Sequence, residues 1–365
     1  MKRLSYILIL FAPLFTLASC SKNPTPSSIV RFRIASTEST VSKTSYSGDI
    51  NQDGLERIDW TSGDLIRIFC AAAREPSGKY SDYLVTNVTA EGARSLASIE
   101  AKDGEGLRWG IGEHIFYAVS PSPSGDGKSS INNGIISGTI ASEQYPITLK
   151  TSIDGTLEAI PDMMSQYMAA KVSALPRSIR NDEVALSFIP LTTSARFTIV
   201  NGLGNGEDMT IKAISLLSPT TDISGRFTTD LTLWDGVQRY PSCTAGGDNG
   251  RKVTIDFSSL PDDCGELPQG RGIILSNGRS LCFTLFLLPL AQVTDDIVFQ
   301  IELSDGSLLS APLVDSSGKG ISFPRCKKKV IEGILVREGI KWKVSFNDAT
   351  NVLPWENEES FATAE

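Results

Sequence analysis

Apolar and polar residues alternate in short runs along this chain. Val30, Phe32 and Ile34 alternate with Arg31 and Arg33, and Phe197 and Ile199 with Arg196 and Thr198. Val253, Ile255 and Phe257 alternate with Lys252, Thr254 and Asp256, and Ile297, Phe299, Ile301 and Leu303 oppose Gln300 and Glu302. Successive side chains of an extended strand point to opposite faces, so each run predicts a strand with one face in a core and one in water. Between the runs stand Asp103-Gly104, Asn133-Gly134, Asp154-Gly155, Asn201-Gly202, Asp235-Gly236, Asn277-Gly278 and Asp305-Gly306. Such pairs accept the positive φ of tight hairpin turns. Many short strands with regular turn signals predict an all-β chain of sandwiches or barrels with little helix. The single candidate helix spans Asp162 to Leu175, where Met163, Met164, Tyr167, Met168 and Val172 cluster, and Pro176 would stop it. A polar break from Arg177 to Glu183 precedes a fresh strand and is the expected domain boundary. No internal repeat of fixed short period is present.

The first residues follow a different pattern. Lys2 and Arg3 precede a nearly continuous apolar stretch from Tyr6 to Ala18. A basic start, a short apolar stretch and small residues before a break form a secretory signal peptide. The stretch is too short for a bilayer span, which needs about 20 apolar residues. It ends in Leu17-Ala18-Ser19-Cys20, which resembles the lipobox of bacterial lipoproteins. That resemblance implies cleavage before Cys20 and acylation of its thiol and new amino group, palmitate among the chains. Several acyl chains would make a stable anchor. The polar, proline-bearing residues 21–28 then read as a tether. The expected organisation is a signal peptide at 1–19, lipidated Cys20 and tether at 20–28, one β domain at 29–182, a second at 183–338, and a C-terminal strand with an acidic tail at 339–365.

Composition agrees with an exported globular protein. Residues 20–365 suffice for two domains, and a hydrophobic content of 41% supports real cores. A net charge of −8 favours solubility and argues against nucleic acid as a partner. The apolar run Leu281 to Leu290 is interrupted by Pro289 and is too short to cross a membrane. Besides Cys20 there are Cys70, Cys243, Cys264, Cys282 and Cys326. That odd number leaves at least one thiol unpaired within a monomer, and no pair has zinc-ligand spacing. Most of them read as small buried apolar residues.

A set of segments in a fixed order carries a family resemblance. Lys43-Thr44-Ser45-Tyr46-Ser47-Gly48 precedes Ile58-Asp59-Trp60, Gly63-Asp64 and Ile66-Arg67-Ile68-Phe69. Phe116-Tyr117-Ala118, Asp162-Met163-Met164 and Leu186-Ser187-Phe188-Ile189-Pro190-Leu191 come next. The stretch from Met209 to Leu216 follows, and then Ile223-Ser224-Gly225-Arg226-Phe227. This order, from about Ile29 to Val336, resembles the fimbrillin-like lipoproteins of Bacteroidales, the group that includes type V pilins. The resemblance implies two β-sandwich domains of transthyretin-like, Greek-key type. It also implies a surface-exposed outer-membrane lipoprotein and assembly into fimbriae or adhesion, with other fimbrial subunits as partners and host or bacterial surface receptors or glycans as further ones. In such pilins a protease removes the first strand, and an extended terminal segment of a neighbour fills the groove by strand addition. A head-to-tail contact of this kind does not close, so it builds a filament.

The resemblance assigns roles by position. Ile29, Val30, Phe32 and Ile34 occupy the removable first strand, and Lys43 is the candidate cleavage residue. The family's pilins are usually cut after an arginine in that loop, whereas here Arg31 and Arg33 lie inside the strand and Arg57 lies later. An uncut protein would be an anchor, a tip or a free-standing adhesin. At the other end Trp342, Val344 and Phe346 alternate with Lys341, Lys343 and Ser345. They form a candidate donor strand, and pairing of that strand within its own domain is the open alternative.

Other chemistry is weakly signalled. Asp49, Asn51, Asp53 and Gly54 match the start of a calcium loop, but Trp60 stands where the bidentate glutamate belongs, so a polar hairpin turn is the favoured reading. Gly127-Lys128-Ser129 resembles the end of a P-loop, but Ser122 replaces the first glycine between Pro121 and Pro123. His114 is the only histidine, and no G-x-S-x-G elbow is present. The acidic pairs Asp262-Asp263 and Asp295-Asp296 are sequence neighbours, which point apart on a strand. No catalysis and no cofactor beyond the lipid on Cys20 are expected. The competing function is a monomeric glycan-binding lipoprotein, with Trp109, Trp234 and Trp355 as aromatic candidates and core packing as their plainer role.

Overall fold

The computed structural model describes residues 28–34, 45–50, 56–91, 94–123, 129–176, 183–202, 208–234, 243–258, 272–294, 296–314, 318–323, 328–335, 337–338 and 341–342. Their regular secondary structure is almost entirely strand, as the alternation predicts. No helix among them is long and apolar enough to cross a membrane.

The first sheet has eight strands. In spatial order they are Glu183–Leu186, Arg31–Ile34, Arg94–Ala101, Tyr80–Glu91, Leu65–Phe69, His114–Ser120, Met168–Ala174 and Ile189–Pro190. One face carries Phe32, Ile66, Ile68, Tyr83, Val85, Phe116, Met168 and Leu186 into a core closed by Trp60, Leu107, Trp109 and Phe188. The other face is also apolar near the sheet's middle. Phe69, Tyr117, Val119 and Ala169 pack there on Ile131, Ile136, Ile140, Tyr167, Phe227 and Leu231. A strand covered on both faces reads as a continuous apolar run, which is the reason Phe116-Tyr117-Ala118-Val119 does not alternate.

Two further sheets face each other as a sandwich. One consists of Glu143–Gln144, Lys252–Asp256, Met209–Leu217, Val298–Leu303 and Leu308–Pro312, with Ile273–Leu275 pairing alongside Met209–Leu217. Opposite lie Pro146–Thr151, Leu157–Pro161, Ser280–Leu287, Thr193–Asn201 and Lys328–Leu335. Between them Phe197 stacks on Phe283 with centroids 5.2 Å apart, and Phe299 lies 5.3 Å from Phe197. A four-stranded sheet of Cys243–Gly250, Ser224–Asp230, Ile135–Ile140 and Ser130–Asn132 covers the junction.

Sheet membership does not follow the polar break at 177–183. Glu183–Leu186, which follows the break, pairs in parallel with Arg31–Ile34 in the first sheet. The segment before the break visits the other sheets. Ile135–Ile140 pairs with Ser224–Asp230, Glu143–Gln144 with Lys252–Asp256, and Leu157–Pro161 with Ser280–Leu287. Gln144 pins this excursion by copying a backbone. Its Nε2 donates to the Phe286 carbonyl at 2.8 Å, and its Oε1 accepts from the Phe286 N–H at 3.0 Å.

The turn chemistry is largely as expected. Asn133 and Gly134 have φ of 47° and 81°, the paired left-handed conformation of a tight hairpin. Asn201-Gly202 is different: Asn201 is buried, and its side-chain amide donates to the Leu275 carbonyl at 2.9 Å. Asp235-Gly236 lies outside the described residues. The expected helix from Asp162 to Leu175 is corrected to one 3₁₀ turn, Met163–Ser165, followed by the strand Met168–Ala174. Asp162 caps that turn by accepting from the Met164 N–H. Beyond it Met168 and Ala170 face one core and Ala169 another, so apolar crowding on two sheet faces had the look of a helical cluster.

Candidate functional site

The first strand, Arg31–Ile34, sits inside the first sheet and not at its rim. It runs parallel to Glu183–Leu186 on one side and antiparallel to Arg94–Ala101 on the other. Val30, Phe32 and Ile34 are 1%, 2% and 1% exposed, while Arg31 and Arg33 point outward. The Phe32 ring meets Tyr83 and Phe116 edge-on, with centroids 5.3 Å and 5.0 Å away. Ile29 is exposed and makes an antiparallel bridge to Arg108. Around that bridge the Val30 N–H donates to the Leu107 carbonyl at 2.7 Å, and the Trp109 N–H donates to the Ser28 carbonyl at 3.0 Å. Burying three apolar side chains is worth roughly 5–9 kcal/mol in area terms, the amount that any replacement strand has to match.

The contributors to this slot are scattered in sequence. Tyr83 comes from Tyr80–Glu91, and its hydroxyl accepts from the Leu107 N–H at 2.9 Å. Burial pushes the Tyr83 phenol far above its ordinary value, so it stays neutral. Phe116 opens onto the slot from His114–Ser120, and Val184 and Leu186 line it from the parallel neighbour. The alternation in Val30, Phe32 and Ile34 identifies the strand, but nothing local marks Leu107, Tyr83 or Phe116 as its partners.

Other sequence expectations fall as follows. Cys20, Lys43, Asn51, Asp53, Val344, Phe346 and Trp355 lie outside the described residues. Asp49 belongs to the strand Ser45–Ile50, which pairs with Glu56–Asp59. Among the described residues no group of three His, Cys, Asp or Glu is arranged to hold a metal ion. The backbone of Lys341–Trp342 pairs with Arg337–Glu338 in a short hairpin. Trp109 is buried edge-on to His114 and Phe116, which removes it as a sugar platform, and Trp234 packs half-buried against the junction. Ser122 is also buried. Asp296 accepts hydrogen bonds from the hydroxyls of Thr220 and Thr294, which hold its carboxyl below the ordinary range. Cys70 and Cys282 are buried free thiols, and Arg196 Nε donates to Cys282 Sγ at 3.0 Å.

One cleft of about 570 Å³ opens beside the first sheet, lined among others by Arg67, Asp82, Lys102, Ser122, Ile147 and Met163. Arg67 holds Asp82 with two hydrogen bonds of 2.7 Å, and Ser122 Oγ donates to the same carboxylate at 2.7 Å. Burial alone would raise the Asp82 carboxyl, but the bonds from Arg67 and Ser122 outweigh it and hold it below its ordinary value. The pair sits on directly opposed strand positions and is half-buried at the wall of the cleft, so its strength is that of a partly screened, charge-assisted cross-strand contact.

No family model and no curated protein matches this sequence. Solved structures do match. A candidate cell adhesion protein of Bacteroides ovatus ATCC 8483 aligns with TM-score 0.50 and 11% identity over 91% of this chain and 99% of that one. A candidate cell adhesion protein of Bacteroides uniformis ATCC 8492 aligns with TM-score 0.46 and 14% identity over 86% and 99%. A fimbrial protein of Bacteroides vulgatus ATCC 8482 aligns with TM-score 0.42 and 16% identity over 79% and 93%. These solved structures are candidate adhesion and fimbrial proteins of Bacteroidales, and with the Bacteroides ovatus protein this chain shares an all-β fold along nearly its whole length.

Proposed function

We propose that this chain is a cell-surface lipoprotein of the outer membrane, anchored through Cys20, that serves as a fimbrial subunit or adhesin and joins its neighbours by strand addition, without catalysis. The observation that carries the reading is the place of the first strand. It is the first described strand of the chain, yet it lies between two others with Val30, Phe32 and Ile34 sealed in the core. Its removal would leave two strand edges and an apolar trough, and an extended segment of another subunit would restore both. The fimbrillin resemblance and the fold shared with a candidate Bacteroides adhesion protein support the same reading. The lipobox at Cys20 supports the location. Lys43 supplies the first basic residue after the strand at which a protease could cut, and Trp342, Val344 and Phe346 supply a donor pattern.

The test is the N-terminus of the mature protein taken from the cell surface, read by mass spectrometry. A new N-terminus beyond Ile34, as after Lys43, is the expected result. Acylated Cys20 in all of the material would sink strand exchange for this subunit and leave an anchored adhesin.

A further inference from the structure

His114 is the only histidine of the chain and is fully buried at the start of its strand. Its Nε2 accepts from the Gly110 N–H at 2.8 Å, and its Nδ1 faces the Gly112 carbonyl at 2.9 Å. Together these bonds fix the neutral ring with its proton on Nδ1, donating to Gly112. The ring lies edge-on to Trp109 at 4.9 Å and stacks near Phe116 at 5.9 Å.

The turn held by this ring is the one that grips the entry to the first strand. Gly110 is adjacent to Trp109, whose N–H bonds Ser28, and Leu107 accepts from Val30. Arg108 between them bonds the 70–79 loop through its own N–H to the Glu75 carbonyl at 3.0 Å, and its side chain pairs with Glu75. The backbone of residues 107–110 thus joins the bond to His114 with the two bonds that hold Ser28 and Val30. A second proton, on Nε2, would point at the Gly110 N–H, donor against donor, and would place a charge in an apolar pocket. The carbonyls of Gly112 and Ala72 favour the charged ring, but burial outweighs both and holds its affinity for the proton below that of an ordinary histidine.

The titratable groups on the surrounding elements are few. Cys70, Arg74 and Lys79 lie on the 70–79 loop, where burial pushes the Cys70 thiol up, the Arg74 N–H donates to the Arg108 carbonyl at 2.9 Å and Lys79 Nζ donates to the Ala73 carbonyl. Glu75 and Arg108 pair with each other, and Glu113 is exposed. Ala174 and Val172, on the neighbouring strand, carry no charge. None of these side chains is among the influences on the ring, which are burial and two carbonyls.

We propose that residues 107–112 are a latch on the first strand, pinned by His114, and that protonation of His114 releases it, so that acid favours exposure of the slot. The use of this latch in assembly rests on the strand-addition reading, whereas the latch itself is open to a direct test. Hydrogen exchange of the full chain, followed by mass spectrometry at about pH 7.5 and about pH 5.5, brackets the range in which histidines titrate. After correction for intrinsic rates, protection of Ser28–Ile34 and of residues 107–112 falls about tenfold in acid, while Thr193–Asn201 in the other sandwich is unchanged. In His114→Gln the amide oxygen can accept from Gly110 and cannot titrate, so protection becomes the same at both pH values. Equal acid loss in His114→Gln, or no loss in the unaltered chain, overturns the proposal. Should the variant not fold, the imidazole resonance of this sole histidine is titrated by NMR, and a loss of protection not confined between the ordinary histidine value of about 6.5 and the midpoint of that titration overturns it equally. A chain that shows the acid response but keeps acylated Cys20 in all mature material retains the latch and loses strand exchange. A chain that is cut but shows no acid response does the reverse.

Discussion

Replacing Phe32 by alanine removes the ring that fills the middle of the slot. The ring is 2% exposed and makes edge contacts with Tyr83 and Phe116, so the change leaves a cavity that a rigid sheet closes only in part. Phenylalanine-to-alanine changes in such cores cost about 3–5 kcal/mol, which includes the lost edge contacts. The cost should fall on the first core and spare the sandwich around Phe197 and Phe283, which shares no buried residue with it. Trp60 and Trp109 lie in the first core, and among the described residues the sandwich core contains no tryptophan, so fluorescence in urea weights the first core while far-ultraviolet circular dichroism follows both. Phe32→Ala should therefore move the fluorescence transition to lower urea and split it from the dichroism transition. Arg31→Ala, on the exposed face of the same strand, should change stability by no more than about 0.5 kcal/mol. A cost for Phe32→Ala below about 1 kcal/mol would mean that the strand does not seal this core, and the slot would lose its physical basis.

Substitutions at four other positions give further outcomes. Asp82→Asn weakens the clamp on Arg67 and should cost about 1–3 kcal/mol by urea denaturation. Because the folded Asp82 carboxyl is held low, its contribution is present above the unfolded aspartate value of about 3.9 and fades as pH falls through the folded value, so Asp82→Asn should flatten the acid limb of the stability curve. His114 is depressed in the same sense, so its contribution is whole above the unfolded histidine value of about 6.5 and is lost as pH falls through the folded one, a slope that a thermal melt series in His114→Gln should lack. Gln144→Ala strands the N–H and carbonyl of Phe286 and should cost about 1–3 kcal/mol for each group left without a partner, read from the dichroism transition. Gly138→Ala would set a methyl 2.6 Å from the Phe227 ring and should destabilise the junction by about 1–3 kcal/mol, seen as a lower melting temperature.

Much of the local structure was legible. The alternations at Val30, Phe197, Val253 and Ile297 each became a strand with the expected face inward, since a sheet's side-chain period is a property of the backbone alone. The glycines of Asp103-Gly104, Asn133-Gly134, Asp154-Gly155, Asn277-Gly278 and Asp305-Gly306 all adopt positive φ, because little else satisfies a tight turn there. Asn201-Gly202 misled because its asparagine is used for a buried hydrogen bond to another strand, a demand that only the assembled sheet creates. The region from Asp162 to Leu175 misled for a related reason: two buried faces erase the period that separates strand from helix.

The sequence by itself determined the β class and the positions of most strands and turns. Tertiary structure alone decided which strands became neighbours. It placed Arg31–Ile34 between Glu183–Leu186 and Arg94–Ala101, carried Ile135–Pro161 into the other sheets, and brought Leu107 and His114 over the strand's entrance. The division is physical. Alternation states that a strand has one apolar face, a fact of local covalent geometry, whereas a backbone edge accepts any other backbone and takes its partner from the packing of the whole core.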